Sequence, residues 1–243
     1  MREKDDSNQR LLAIIPARNE AATVGEIVRR VRAVVKGGIL VVNDCSDDDT
    51  SVQARRAGAN VIDLPFRLGA WGAAQTGLRY AKRNGFDIAL TLDADGQHHP
   101  EELPVLLEGW RRSRAHVGIG TFPPRLSAAK RLAWRYFHML TGIGVQDFTS
   151  GLRVYDRRAI SVLASRKASL LDYQDLGVLM LLRKKGLTLH EVPTVMSPRR
   201  SGGSRVFSSW RMVARYMLHT TVLCFAQFGV RGRVARARTR ASA

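Results

Sequence analysis

The feature that most constrains the fold is an alternation of short apolar runs with helical patterns. The runs 11–15, 39–42 and 87–92 lack the polar alternation of half-exposed strands, which is typical of strands buried on both faces of a sheet. Apolar residues recur at helical spacing over 21–35 and 70–83. Strands that alternate with such helices form βαβ units around a parallel sheet. We therefore predict an α/β fold with a mostly parallel central sheet flanked by helices.

The rest of the chain continues this pattern less regularly. No repeat or clear linker divides it, so we predict one domain over 10–206, preceded by a disordered segment over 1–9. An amphipathic helix is predicted over 207–230 and a basic tail over 231–243. Within the domain, further strands are predicted near 61–62, 116–121 and 187–192, and helices near 49–57, 100–114, 127–141, 156–165 and 174–185.

The charge of the chain points to anionic partners. Its 243 residues include 39 Lys and Arg against 21 Asp and Glu, a formal net charge of +18, in an ordinary globular composition. This excess favours nucleic acid, phosphorylated substrates or an acidic membrane surface as partners. A basic nucleic-acid-binding protein is the weaker interpretation, because the sequence has no zinc-ligand spacing, RNP-like aromatic pattern or heptads.

The sequence also bears on cellular location. Cys45 and Cys224 lie too far apart for a metal knuckle, which favours reduced cytosolic thiols, and the N-terminus has no apolar signal core. The best candidate span, 216–230, is shorter than the roughly 18–20 residues of a spanning helix. We expect a cytoplasmic protein at the cytoplasmic face of the membrane. There, 207–230 and the tail would contact anionic lipid or an integral-membrane partner; alternatively, the helix packs on the domain.

Polar clusters follow three of the predicted strands, at 16–20, 43–48 and 93–98, where open parallel sheets bind ligands. Asp93 and Asp95 stand two positions apart, directly after an apolar strand. Both carboxylates can therefore reach one hard cation, Mg²⁺ or Mn²⁺ with a diphosphate. In the same cluster, Gln97 could supply a third oxygen.

Further candidate binding residues lie in the first two clusters and in two other segments. Asp44 could accept from a nucleobase N–H or cap the helix 49–57, and Asn19 could cap the first helix. Small residues over 68–77 allow close approach of a ligand or the sheet, but neither a dinucleotide fingerprint nor a P-loop is present. The glycine-containing segment 198–205 carries arginines that suit phosphates, or it is a basic surface loop.

Together these segments resemble the family 2 glycosyltransferases, most closely the dolichyl- or polyprenyl-phosphate sugar synthases. The resemblance covers about residues 10–206. It rests on five motifs in the order and spacing of the family: PARNE at 16–20, VVNDCSDD at 41–48, LGAWGA at 68–73, DADGQH at 93–98 and DFTSGLR at 147–153.

The resemblance implies a GT-A (Rossmann-like) fold, a nucleotide-sugar donor (UDP- or GDP-linked), a divalent cation and inversion at the anomeric carbon. The implied site residues follow by motif. Donor-binding residues are Pro16, Arg18, Glu20, Asn43, Asp44, Gly69, Asp93, Ala94 and Asp95. Metal-facing residues are Asp93, Asp95 and Gln97. Acceptor-binding residues are Ser150, Arg153, Arg199 and Arg205, of which Arg199 and Arg205 also count, with Asp95 and Asp147, as catalytic.

The chain departs from the family pattern in two places. Cys45 stands where the family usually has glycine, which puts the tightness of that turn in question. The strand near 116–121 lacks the arginine that often follows it in the family, and Arg125 could substitute.

The expected reaction is a single in-line displacement at the sugar C1, with the cation stabilising the leaving diphosphate. A hydroxyl acceptor on a glycan or glycolipid needs a general base, whereas a phosphate monoester is already ionised at neutral pH. Only Asp147, Asp172 and Asp175 are candidate bases. We therefore expect a polyprenyl or dolichyl phosphate acceptor, with transfer to a sugar hydroxyl as the alternative. A phosphohydrolase is disfavoured because its nucleophilic Asp normally follows the first strand.

Overall fold

The centre of the structure is a seven-stranded sheet with the strand order β3-β2-β1-β4-β6-β5-β7. The computed structural model describes residues 9–122, 135–136, 138–139, 141–171, 176–197 and 221. The strands are β1 (Leu11–Ala17), β2 (Gly38–Asn43), β3 (Asn60–Asp63), β4 (Ile88–Thr91), β5 (Val117–Thr121), β6 (Arg153–Asp156) and β7 (Leu189–Pro193).

Most neighbouring strands run parallel, as predicted. β1 pairs in parallel with β2 on one side and β4 on the other, and the pairs β2–β3 and β5–β7 are also parallel. The exception is β6, which runs antiparallel between β4 and β5. We did not predict β6, because Arg153 and Asp156 bracket only two apolar residues and leave no apolar run.

Helices cover both faces of this sheet. Ala13 and Ile15 of β1 belong to a buried cluster with Ile27 of the first helix, whereas Ile14 lies against Gly77 of the third. This division follows from the alternation of side chains along a strand. The helices are α1 (Val24–Val34), α2 (Thr50–Arg56), α3 (Gly69–Arg83), α4 (Leu103–Ser113), α5 (Arg157–Leu163) and α6 (Leu176–Lys184), with 3₁₀ turns at Pro100–Glu102 and Arg166–Leu170.

The chain divides into two compact units. The first comprises Met1–Leu126 and Val145–Ser201 and contains the sheet, and the second comprises Ser127–Gly144 and Gly202–Ala243. In the second unit, the Tyr136 hydroxyl lies 3.3 Å from Thr221 Oγ1. Apart from the helical Thr221, the predicted helix 207–230 and the tail lie outside the described residues, so their roles stay predictions. No helix within the described ranges has the length and apolarity needed to cross a membrane.

The contact between α3 and β1 depends on the absence of a side chain at Gly77. A Cβ at this position would lie 2.3 Å from Ile14 Cγ2, so we expect Gly77→Ala to lower the free energy of unfolding by about 1–3 kcal/mol. Gly25→Ala is the control. The added methyl there meets no atom closer than 3.5 Å, and better helix propensity should stabilise the chain by up to about 1 kcal/mol. Urea unfolding measures both, and equal stability of the two variants contradicts the packing argument.

Candidate active site

Three polar clusters meet at the carboxyl edge of β1, β2 and β4. The Asn19 N–H donates to Ser46 Oγ at 2.9 Å, which joins the cluster after β1 to the cluster after β2. The Thr23 hydroxyl donates to the Ala94 carbonyl at 2.7 Å, which joins the first cluster to the residues after β4. Parallel pairing places these strand ends side by side, so the predicted 16–20, 43–48 and 93–98 clusters form one edge.

Asp44 is committed to the start of α3. Its buried carboxylate accepts from the Leu68 N–H at 2.6 Å and from the Gly69 N–H at 2.9 Å. The sequence alternative that Asp44 caps the helix 49–57 is therefore wrong, because Asp44 binds the next helix instead. Asn19 does not cap α1 either, since its Oδ1 accepts from the Asp47 N–H. Asp44 thus draws the start of α3 to the strand edge.

Asn43 and Asp63 brace the end of β2 from inside. Asn43 Nδ2 donates to Ser51 Oγ and to Asp63 Oδ1, both at 2.9 Å. Burial opposes ionisation of Asp63, but hydrogen bonds from Ser51, Asn43 and Arg55 outweigh it and lower its pKa to about 2. The Asn43 side chain is therefore engaged in supporting the loop. The contact of Asp63 with this loop was not predicted, because no motif includes Asp63.

The residues predicted to hold the nucleoside lie along the first cluster. Pro16 pairs with Val42 between β1 and β2. Arg18 lies 3.9 Å from an Asp47 carboxylate oxygen, and its Nε is buried without a hydrogen-bond partner among the described residues. Glu20 Oε2 lies 3.1 Å from Thr23 Oγ1, so Glu20 reaches the same threonine that contacts Ala94.

The turn after β4, residues 93–98, holds the two predicted metal carboxylates in different environments. The Asp93 side chain is 45% exposed, whereas Asp95 is only 6% exposed and accepts from the Gln97 N–H at 3.0 Å. The Asp93 N–H donates to His98 Nδ1 at 3.1 Å, which closes the turn. We refer to residues 93–98 as the Asp-x-Asp turn. Asp93 therefore presents its carboxylate to solvent while Asp95 lies beneath.

The segment that enters β6, residues 147–153, packs beside this turn. Ser150 and Arg153 are fully buried. The Ser150 hydroxyl donates to the Gly120 carbonyl at 2.6 Å, and Arg153 donates to the carbonyls of Ser150 and Phe148 at 2.9 and 2.7 Å. Arg153 Nη1 has no hydrogen-bond partner within the described part of the chain. These two predicted acceptor-binding residues therefore shape the segment, and Nη1 is the Arg153 nitrogen left for another ligand.

Two acidic side chains meet at the start of this segment. Asp147, 1% exposed, accepts from the Thr149 N–H at 2.9 Å through Oδ1, while Oδ2 lacks a hydrogen-bond partner among the described residues. Glu191 of β7 accepts from the N–H groups of Gln146 and Asp147. Burial raises the pKa of Glu191, and the Asp147 charge adds to this, against the two N–H donors and His190. Glu191 was not predicted as a residue of the site, because β7 contains no recognisable motif.

The end of β7 leads back to the Asp-x-Asp turn. The Ser197 N–H donates to the Gln97 carbonyl at 3.0 Å, and the Ser197 hydroxyl lies 2.7 Å from His99 Nε2. Ser197 is the last described residue before the basic segment 198–205. Five residues singled out from the sequence lie outside the described residues, and their roles stay predictions: Arg125, Asp172, Asp175, Arg199 and Arg205.

Comparison with known protein families identifies the class of protein to which this chain belongs. A family model described as Glycosyl transferase family 2 matches residues 12–166, which hold β1 through β6, the Asp-x-Asp turn and the 147–153 segment. The chain belongs to this family. It is a glycosyltransferase, as the sequence resemblance implied.

Curated relatives place the chain within the family. Polyprenol monophosphomannose synthase of Mycolicibacterium smegmatis is 29% identical over 248 residues, covering 95% of this chain and 91% of that protein. Undecaprenyl-phosphate mannosyltransferase of Micrococcus luteus is 32% identical over 160 residues, covering 60% of this chain and 66% of that protein. The predicted similarity to polyprenyl-phosphate sugar synthases is confirmed.

Solved structures confirm the predicted GT-A type of fold. Glucosyl-3-phosphoglycerate synthase from Mycobacterium tuberculosis, in complex with Mn²⁺, UDP and phosphoglyceric acid, has a TM-score of 0.70 at 19% identity, covering 92% of this chain and 80% of that one. Mannosyl-3-phosphoglycerate synthase from Rubrobacter xylanophilus has a TM-score of 0.67 at 18% identity, covering 94% and 76%. At sequence identities this low, the structural similarity is evidence for a shared fold only.

The backbone at Cys45 generates a prediction about stability. Cys45 has φ +54°, the left-handed conformation that disfavours residues with a Cβ, at the position where the family usually has glycine. Relief of this strain exceeds the entropy that glycine adds to the unfolded chain, so Cys45→Gly should raise the free energy of unfolding by up to about 1 kcal/mol. Urea unfolding measures this. Cys45→Val should destabilise, and a glycine variant less stable than wild type contradicts the strain argument.

Glu191 generates a prediction about pH. The pKa of Glu191 is raised in the folded state, so the folded chain keeps the Glu191 carboxyl protonated to a higher pH than the unfolded chain does. The folded state therefore loses stability as the pH rises from the unfolded-state pKa of this carboxyl through its folded-state pKa. Gln at position 191 cannot ionise, although its Oε1 still accepts both N–H bonds. Glu191→Gln should match wild type near about pH 4 and unfold at higher urea than wild type at about pH 7.

The matched control is Glu108→Gln, an exposed glutamate of α4 paired with Arg112. The stability difference between this variant and wild type should change little between the two pH values. A Glu191→Gln difference that shrinks or reverses as the pH rises contradicts the assignment.

Proposed function

We propose that this glycosyltransferase moves a sugar, with inversion, from a nucleoside diphosphate sugar to a polyprenyl phosphate, with the help of a divalent cation. The observation that carries the proposal is the meeting of three strand-end clusters at one edge of the sheet, where the Asp93 carboxylate is exposed. A donor laid along this edge would extend from the 16–20 cluster to the Asp-x-Asp turn. This is the ligand position expected for an open parallel sheet.

The residues present fit a divalent cation that is shared with the donor. Asp93 and Asp95 offer carboxylate oxygens, the ligands that Mg²⁺ and Mn²⁺ prefer. The described residues contain no group of three or more His, Cys, Asp or Glu placed to hold a metal. The remaining ligands would then be diphosphate oxygens, water and the predicted Gln97, as in nucleotide-bound magnesium sites. When bound, the cation would supply positive charge against the charge that builds on the leaving diphosphate.

The solved neighbour that binds Mn²⁺ together with UDP supports the same arrangement. On the nucleoside side, Arg18 Nε is buried and has no hydrogen-bond partner among the described residues. Its N–H could donate a hydrogen bond to the nucleotide sugar. Asp44 would support the nucleoside site indirectly, because its carboxylate already accepts from the N–H groups at the start of α3. The identity of the base, uracil or guanine, follows from the experiment below.

The nature of the acceptor follows from the relatives and from Asp147. The relative with the widest coverage above is a polyprenol monophosphomannose synthase, and another is an undecaprenyl-phosphate mannosyltransferase. A phosphate acceptor needs no general base, whereas a hydroxyl acceptor does. Asp147 is 1% exposed and its Oδ1 is engaged by Thr149, which is a poor placement for a base that must meet a substrate hydroxyl. A phosphate acceptor therefore fits this site better.

The proposal also includes three arginines on the acceptor side and a membrane contact of the C-terminal segment. Arg199 and Arg205 would bind the donor and acceptor phosphates, since guanidinium groups pair with phosphate oxygens. Arg153 Nη1 would contribute from below the 147–153 segment. The 207–230 segment and the arginine tail would hold the enzyme at an anionic membrane surface or on an integral-membrane partner, at the cytoplasmic face where a lipid phosphate is presented.

A direct test combines donor binding with transfer. The full chain is screened with UDP- and GDP-sugars, with and without Mn²⁺, by thermal shift, and transfer from the stabilising donor to polyprenyl phosphate is followed by mass spectrometry. We expect one donor class to stabilise the chain in a metal-dependent way. Asp95→Asn should lower kcat/KM at least about 100-fold, because it removes one of two charges that hold the cation.

The controls separate the parts of this proposal. Asp49→Asn changes an exposed aspartate just after the 43–48 cluster and should leave transfer unchanged. The free alcohol, polyprenol, should not replace polyprenyl phosphate. Equal transfer to polyprenol contradicts the phosphate acceptor, and full activity of Asp95→Asn contradicts the metal assignment.

A further inference from the structure

Gly151 and the Asp93 carboxylate occupy neighbouring space. A Cβ built on Gly151 would lie 2.6 Å from both carboxylate oxygens of Asp93 and 2.8 Å from its Cγ. These separations are shorter than nonbonded contacts allow, so the carboxylate fills the volume that any side chain at position 151 would need. Gly151 is not among the described glycines with positive φ, so the reason for glycine here is space and not backbone conformation.

The backbone around Gly151 is fixed from both sides. The Thr91 hydroxyl of β4 donates to the Gly151 carbonyl at 2.8 Å. Ser150 is held to β5 through the Gly120 carbonyl, and the Leu152 carbonyl accepts from the Gly120 N–H at 2.8 Å. Thr91 and Ser150 are buried, so a shift of this backbone would leave buried polar groups unpaired. The backbone at Gly151 therefore cannot retreat cheaply.

Asp93 is the partner that can move. Its side chain is 45% exposed and ends in a carboxylate with rotational freedom toward solvent. A methyl group at position 151 would consequently displace this carboxylate and leave the buried bonds of the strand ends in place. The loss would then fall on the position of Asp93 and not on the stability of the fold.

We infer that Gly151 is a positioning residue for the metal site, because its lack of a side chain sets where the Asp93 carboxylate stands. This inference rests on the proposed function, in which Asp93 binds the divalent cation. It also implies that the 147–153 segment, placed on the acceptor side by the resemblance, controls the geometry of a donor-side ligand. The two halves of the site would share one contact.

The test measures Mn²⁺ binding directly, without turnover. The full chain is titrated with Mn²⁺ alone and again with UDP or GDP present, against chain-free samples of the same composition, and free Mn²⁺ is followed by electron paramagnetic resonance. Gly151→Ala should bind Mn²⁺ at least about tenfold more weakly than wild type, the usual effect of disturbing a ligand's supporting shell. Its melting temperature should stay within about 4 °C of wild type. Gly25→Ala should retain wild-type Mn²⁺ affinity.

A second pair of variants keeps the inference testable if Gly151→Ala is unstable. Asp93→Ala removes the carboxylate and opens the space beside Gly151. Gly151→Ala added to Asp93→Ala should then melt at the temperature of Asp93→Ala alone, because the clash no longer exists. A double variant that melts well below Asp93→Ala overturns the inference, since the backbone rather than the carboxylate would be responding.

The outcomes distinguish this inference from the proposed function. Wild-type chain that binds no Mn²⁺, either alone or with UDP or GDP present, overturns the proposed metal requirement and the inference with it. Wild-type chain that binds Mn²⁺, together with a Gly151→Ala variant of equal affinity, overturns the positioning role alone. Weaker binding by a stable Gly151→Ala variant supports both.

Discussion

The parallel pairing of β1 with β2 and β4 is the constraint on which the rest of the site depends. β1 is buried on both faces, and its register with both neighbours brings three strand ends to one edge. Without this pairing, the Asn19–Ser46 and Thr23–Ala94 bonds could not form, because their partners follow different strands. The pairing of these apolar strands therefore fixes the geometry of the polar site at their ends.

Main-chain N–H groups hold several of the acidic side chains of the site. Asp44 accepts from Leu68 and Gly69, Asp95 from Gln97, and Glu191 from Gln146 and Asp147. Such bonds stabilise a carboxylate in a fixed orientation without requiring a nearby cation. A site built in this way can keep several acids close together in a chain whose net charge is +18. The positive charge of the chain then remains available for phosphate groups.

The sequence allowed prediction of the elements that have long, uniform patterns. β1, β2 and the α3 helix follow from apolar runs and helical spacing, and the Asp-x-Asp turn follows from its place after β4. β6 was missed because it depends on pairing with a strand on each side and on Arg153, whose guanidinium donates to two loop carbonyls. The Asp44 bond to α3 and the contact of Gly151 with Asp93 join residues far apart in sequence. No local pattern encodes such contacts.

The return of the chain from β7 to the Asp-x-Asp turn restricts the length of that connection. Met196 forms a bridge with His98, and Ser197 contacts Gln97 and also His99, which lies 98 positions earlier in the sequence. Surface loops usually tolerate insertions, because few bonds depend on their length. One residue added between Pro193 and Ser197 would break the alignment of these bonds. The connection is therefore constrained in length by its bonds to the Asp-x-Asp turn, and in composition by the burial of Thr194 and Met196.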